Sequence, residues 1–232
     1  MALLGGCAVE AAVLFDFGGT LDADGLTWKD RFLRLYLAEG VMIAPERFDR
    51  LFYAVDDELV GAVPRTLSFR DTVFRLVAGI AEAMGLPHDD ALVGRIARRF
   101  VEDAMETLRG NMPLLSRLGG RYRLGIVSNF YGNLATVCEE TGIRRLFRVI
   151  IDSGRVGYLK PDTRIFRRAV EEIGVTPADA TFVGDSLSRD MAGARETGMG
   201  HIWLAGRTDR TAEPCCRGDR VIASLQELEG LL

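Results

Sequence analysis

The sequence predicts an α/β protein: a parallel sheet covered by helices on both faces, interrupted near its start by an all-α insertion. Three observations carry this prediction. From about residue 111 onward, short apolar runs rich in Val, Ile and Leu alternate with amphipathic stretches. Between about 23 and 110 the apolar residues instead recur every three or four positions, the period of a helix face. Polar residues close three of the apolar runs, at Asp16, Ser128 and Asp185. The C-terminal ends of parallel strands are where such sheets place their chemistry.

The elements follow in chain order. Ala11-Ala12-Val13-Leu14 reads as a buried first strand leading to Asp16. Trp28, Phe32, Leu35 and Tyr36 mark one helix, and Phe48, Leu51, Phe52 and Val55 another. Phe69, Val73, Leu76, Val77 and Ile80 mark a third. Pro45, Pro64 and Pro87 lie near the breaks, so the insertion holds four or more helices. Leu124-Gly125-Ile126-Val127 is the next strand and ends at Ser128-Asn129, before a helix over about 131–141. A strand at 148–151 precedes a helix over about 162–173. Strand 180–183 ends at Gly184-Asp185, before a helix over about 188–197. Strands at 201–204 and 221–223 complete the pattern. Right-handed crossovers bring the strand ends to one edge. Asp16, Ser128 and Asp185 should therefore converge despite wide separation in sequence.

Composition narrows the function. The 232 residues are 48% hydrophobic and 27% charged with net charge −4, as in a soluble globular protein. That balance argues against nucleic acid or an anionic membrane as partner. No apolar run approaches the ~18–20 residues of a membrane span. The four cysteines, Cys7, Cys138, Cys215 and Cys216, show no disulfide or zinc spacing. They fit a reducing, cytoplasmic setting. The vicinal pair Cys215-Cys216 is a candidate redox element or a pair of loop thiols. Met1 to Cys7 has no basic start and reads as an untargeted tail.

The segment Phe15-Asp16-Phe17-Gly18-Gly19-Thr20-Leu21-Asp22 is the richest in chemistry. A carboxylate at a strand end sits where parallel sheets do their chemistry, or caps the turn that follows. Glycines behind it let backbone N–H groups approach an anion. Asp16, Asp185 and Asp190 would repel one another unless a cation sat among them, and an oxygen-only site suits Mg²⁺. Lys160 read alone is a surface lysine. Pro161 restricts it to extended conformations. His88 and His201 form no pair with a Ser or Cys nucleophile. Arg31, Arg34, Arg65 and Arg70 read as a solvated helical face.

Four elements in this order resemble the haloacid dehalogenase (HAD) superfamily, subfamily I with a helical C1-type cap. They are Asp16 with Thr20, Ser128-Asn129, Lys160-Pro161, and Gly184 to Asp190. The resemblance implies a Rossmann-type core domain over 1–22 and 111–232 and a cap domain over 23–110. It implies Asp16 as nucleophile, assisted by Ser128 and Lys160. Substrate contacts would come from Phe17, Gly18, Thr20, Ser128, Asn129 and Lys160. Mg²⁺ would be held by Asp16, Asp185, Asp190 and the Gly18 carbonyl. The implied substrate is a small phosphate monoester.

One departure stands out. The superfamily places a second Asp, the general acid/base, two residues after the nucleophile, where this chain has Gly18. Three accounts follow. The enzyme is slow or takes good leaving groups; another carboxylate substitutes, with Asp22 and Asp24 nearby; or the chain binds phosphorylated ligands without turnover. A 2-haloacid dehalogenase, which also lacks the second Asp and needs no metal, is the rival reaction.

Overall fold

The computed structural model describes residues 11–206 and 220–232, so Cys7 and the pair Cys215-Cys216 lie outside the described residues. β1 (Ala12–Phe15) is buried at every position, as an apolar run in mid-sheet must be. Four helices follow: α1 (Trp28–Ala38), α2 (Pro45–Leu59), α3 (Phe69–Ala83) and α4 (Asp90–Gly119). Their starts carry local caps. Thr27 accepts from the Asp30 amide, Ser68 from Asp71, and Asp89 from Ala91 and Leu92. Pro45 opens α2, where its missing N–H costs nothing. The helical periods bury Phe32, Tyr36, Phe48, Phe52, Val73, Leu76 and Ile80. The 30-residue α4 runs through residue 110 and returns the chain to the sheet.

The rest alternates β and α. β2 (Arg123–Ser128) leads to α5 (Leu134–Glu140), and β3 (Val149–Asp152) to a single helical turn, α6 (Ser153–Val156). Then come α7 (Thr163–Ile173), β4 (Ala180–Gly184), α8 (Ala192–Thr197), β5 (Gly200–Leu204) and β6 (Arg220–Ile222). Two expected helices start late. Asp152 draws the Gly132 and Leu134 amides onto its carboxylate, which fixes the start of α5 at Leu134 rather than 131. Residues 187–191 form a wider turn before α8.

Among the described residues the sheet has six strands, all parallel, in the order β3-β2-β1-β4-β5-β6. β1 therefore lies where the strand order reverses, and the crevice beyond its C-terminal end is the place for a ligand. Register brings the site together. Phe15 lies opposite Ile126 and Val183, and the Asp16 amide donates to the Val183 carbonyl at 2.9 Å. Alternate β1 residues serve opposite faces. Val13 and Phe15 join one core with Trp28, Phe32 and Phe100 of the insertion. Leu14 joins the other with Phe166 and Phe182. A stacked Phe32–Phe100 pair, 4.2 Å between centroids, sits inside the insertion.

Candidate active site

The turn after β1 builds the site's floor. Gly19 takes φ +89°, and a Cβ there would fall 2.5 Å from Asp185 Oδ2. Only glycine admits both the left-handed backbone and that approach. Gly18 differs: its φ of −76° suits any L residue. What it lacks is space. A Cβ on Gly18 would lie 3.1 Å from Trp28 Nε1. The indole cannot yield easily, because Nε1 donates to Asp22 Oδ2 at 2.7 Å and the ring packs on Phe32, Phe100 and Phe130. Gly18→Ala is therefore expected to lower stability by about 1–3 kcal/mol, the usual cost of overpacking. Urea unfolding measures this; an unchanged midpoint would show that the indole moves freely.

Asp22 and Asp24 do not replace the missing acid. Asp22 is fully buried and holds the Gly19 amide, the Trp28 indole and Arg31, whose Nη1 lies 2.8 Å away. Asp24 accepts from the Leu225 amide at 2.8 Å. Both fasten the turn. Arg31 also corrects the sequence reading of a solvated arginine: it is buried between Asp22 and the Phe100 carbonyl. Its helical spacing gave no sign of a buried partner.

Asp16 sits at the crevice with three donors on one oxygen. The Phe17 amide at 2.7 Å, Ser128 Oγ at 2.7 Å and Lys160 Nζ at 2.8 Å all address Oδ1. Among the described residues none binds Oδ2. Lys160 is buried and also lies 2.6 Å from Asp190 Oδ1. Burial opposes its charge, but Asp16 and Asp190 outweigh that and raise its pKa. Asn129 holds Lys160 in place, accepting from its amide at 2.7 Å and donating to its carbonyl at 3.1 Å.

Negative charge exceeds positive charge here. Oxygens of Asp16, Asp185 and Asp190 lie within 4.8 Å of one another around the single ammonium of Lys160. Burial, then Asp16 and Asp190, push the Asp185 carboxyl well above the usual range. Burial likewise lifts Asp190 to about 6, although Lys160 pulls it down. Asp190 is buried, with Oδ1 against the Lys160 ammonium and Oδ2 accepting from the Ser186 amide at 3.0 Å. A cluster of three carboxylates, hard oxygen donors that outnumber the one ammonium among them, fits a divalent cation such as Mg²⁺.

The structure divides the expected substrate contacts. Gly18, Ser128 and Asn129 line a cavity of about 150 Å³ together with Asp16 and Asp185. Phe17 does not: its ring is fully buried against Phe69 and Phe130. It points into the core because it faces the insertion rather than the crevice. Thr20 is also fully buried, and its hydroxyl donates to Asp185 Oδ1 at 3.0 Å, so it orients a carboxylate. The Asn129 amide is already committed to Lys160. His88 is exposed beside Asp90, and neither it nor His201 lines this cavity. The insertion's share of the lining, Trp28, Lys29, Phe52, Tyr53 and Asp56, escaped the sequence reading apart from its helical period. Tyr131 and Arg189 also line the cavity. Asp56 opens the acidic run Asp56-Asp57-Glu58, which in the sequence looks like an ordinary solvated helix face.

Comparison with known proteins bears on this geometry. A family profile described as haloacid dehalogenase-like hydrolase matches residues 10–198. The chain belongs to the HAD-like hydrolases. The haloacid dehalogenase-like hydrolase domain-containing protein 3 of Mus musculus is 32% identical over 158 residues, 67% of this chain and 62% of that protein. Pyrimidine 5'-nucleotidase YjjG of Escherichia coli is 31% identical over 144 residues, 60% of this chain and 64% of that one. The chain thus spans less than two thirds of these HAD relatives' lengths. Among solved structures, the magnesium-bound HAD-hydrolase YfnB of Bacillus subtilis aligns with TM-score 0.60 and 22% identity over 96% of this chain and 98% of that one. A dehalogenase aligns with TM-score 0.66 and 22% identity over 97% and 98%. Those two likenesses establish the HAD fold. Among the described residues no helix is long and apolar enough to cross a membrane.

Proposed function

We propose that this protein is a Mg²⁺-dependent phosphatase of small phosphate monoesters, with Asp16 as nucleophile, and that residues 23–110 act as a cap over a core of 1–22 and 111–232. The observation that carries the reading is the asymmetry of Asp16. Three donors fix Oδ1, so Oδ2 is left as the reactive oxygen. Its attack on phosphorus forms an aspartyl phosphate and releases the alcohol; water then cleaves the acyl phosphate and restores the carboxylate. Lys160 offsets charge on the nucleophile and on the phosphoryl oxygens. Ser128, now donating to Asp16, can turn its hydroxyl to the bound phosphoryl group, since both line the cavity. Asp16, Asp185, Asp190 and the Gly18 carbonyl would hold Mg²⁺, which when bound neutralises phosphoryl charge. Asn129 serves by setting Lys160.

Several relatives support the choice of phosphate. YjjG is named a nucleotidase, and a Thermus thermophilus relative, 37% identical over 87 residues, is named phosphoserine phosphatase. Displacement of halide from carbon needs no cluster of three acids, which favours phosphate over haloacid. A screen of phosphate monoesters and 2-haloacids, with Mg²⁺ and with chelator, tests the reading. Phosphate release that depends on Mg²⁺ is expected. Halide release independent of metal, or no turnover of any compound, would overturn it. Magnesium binding to wild type but not to Asp185→Ala, by calorimetry, is expected alongside.

A further inference from the structure

Resting on the phosphatase reading, we infer that Asp56 of the insertion is the general acid/base that Gly18 cannot be. The geometry comes first. Asp56 lies on α2 and lines the same cavity of about 150 Å³ that Asp16 lines. An in-line displacement puts the leaving oxygen opposite the attacking one, inside the space that Asp16 and Asp56 both line. The position usually filled by an acid is closed, because Trp28 occupies the space beside Gly18. The two other nearby carboxylates, Asp22 and Asp24, are tied into the turn.

Asp56 is held as a positioned acid would be. Tyr131 Oη, from the loop after β2, donates to Asp56 Oδ1 at 2.5 Å. Among the described residues Oδ2 takes no hydrogen bond, so one oxygen is anchored and the other is free for substrate. The titratable and charged groups around it are the neutral Tyr131 phenol, Arg189 from the turn before α8, and Asp57 on its own helix. Burial raises the Asp56 carboxyl above the ordinary range, against the pull of Tyr131 and Arg189. That keeps more of it protonated toward neutral pH, as a proton donor requires. Arg189 lies 5.2 Å over the Tyr53 ring, which fixes this corner between insertion and core.

The step balances. As Asp16 Oδ2 bonds to phosphorus and the P–O bond to the leaving group breaks, the Asp56 proton passes to the leaving oxygen, giving a neutral alcohol and the Asp56 carboxylate. That carboxylate then takes a proton from the water whose oxygen attacks the phosphorus of aspartyl phosphate. The bond to Asp16 breaks and inorganic phosphate leaves.

The test uses single-turnover rates of the full chain with Mg²⁺ on an alkyl phosphate and on p-nitrophenyl phosphate, whose leaving group departs as an anion. Asp56→Asn is expected to slow alkyl ester cleavage by about 10²-fold, with nitrophenolate release changing less than about threefold. Equal loss on both esters, or no loss on either, would overturn the assignment while leaving the phosphatase reading intact. Absence of wild-type turnover on both would instead remove that reading and this inference together. Tyr131→Phe guards against a folding defect in Asp56→Asn. Without the donor to Oδ1 the Asp56 pKa rises further, so the descending alkaline limb of the alkyl ester pH profile should move to higher pH. A limb that stays in place would count against Asp56 as the proton donor.

Discussion

Asp16→Asn is expected to remove turnover, by on the order of 10³-fold or more, while the protein stays folded. The amide keeps a carbonyl oxygen to accept from Ser128 and from the Phe17 amide, so the hydrogen bonds at the strand end survive. What is lost is an anionic oxygen able to form an acyl phosphate. The loss should be equal for alkyl and aryl esters, because both pass through the same intermediate. This separates it from Asp56→Asn, whose effect depends on the leaving group. The measurement is steady-state phosphate release beside a melting curve. Mass spectrometry of the purified variant excludes deamidation back to Asp. Retention of more than about a few per cent of wild-type turnover would rule out covalent catalysis at Asp16.

Lys160→Met is expected to cost both activity and stability. Met roughly preserves the apolar stem but removes the one ammonium among three carboxylates. Losing a charge that stabilises the transferred phosphoryl group typically costs ~10²–10³-fold in rate. Removing one partner from a buried ionic cluster costs about 3–5 kcal/mol, because the remaining charges stay buried. The pH dependence of this loss has a definite sign. Asp185 is raised well above the ordinary carboxylate range and Asp190 to about 6 even with Lys160 present. Without it both rise further, so the folded state binds protons that the unfolded state does not. Stability then falls as pH rises from the ordinary carboxylate range through the raised folded pKa values. In metal-free protein the variant's deficit should accordingly be larger at pH 8 than at pH 5. Chelator-treated urea titrations at the two values measure it. A deficit that grows toward pH 5 would contradict the charge arrangement described here.

The sheet was legible because its signals are local. β1, β2 and β4 are short apolar runs closed by polar residues, and each lies within a residue or two of its expected place. Asp16, Ser128 and Asp185 could be grouped because parallel topology obliges strand ends to meet. The start of α5 was less legible. It depends on Asp152, eighteen residues beyond Leu134, taking the amides that would otherwise begin a helix earlier. The family resemblance offered Phe17 and Thr20 as substrate contacts, and their side chains show that a turn aims neighbours in different directions. One went to the core and one to Asp185.

The sequence by itself determined the parallel α/β core, the helical insertion, the place of Asp16 and the absence of an acid at position 18. These follow from periodicity, from residue type at strand ends and from motif order, all of which are properties of the chain. Tertiary structure alone decided that Arg31 is buried against Asp22 and that Trp28 closes the space beside Gly18. It alone joined Asp56 to Tyr131 on the lining of the cavity that Asp16 shares. The physical reason is that a helical period says which face of a helix is apolar but not what that face meets. The partners of Arg31, Trp28 and Asp56 are supplied by other elements, and only packing of the insertion against the sheet brings them within hydrogen-bonding or contact distance.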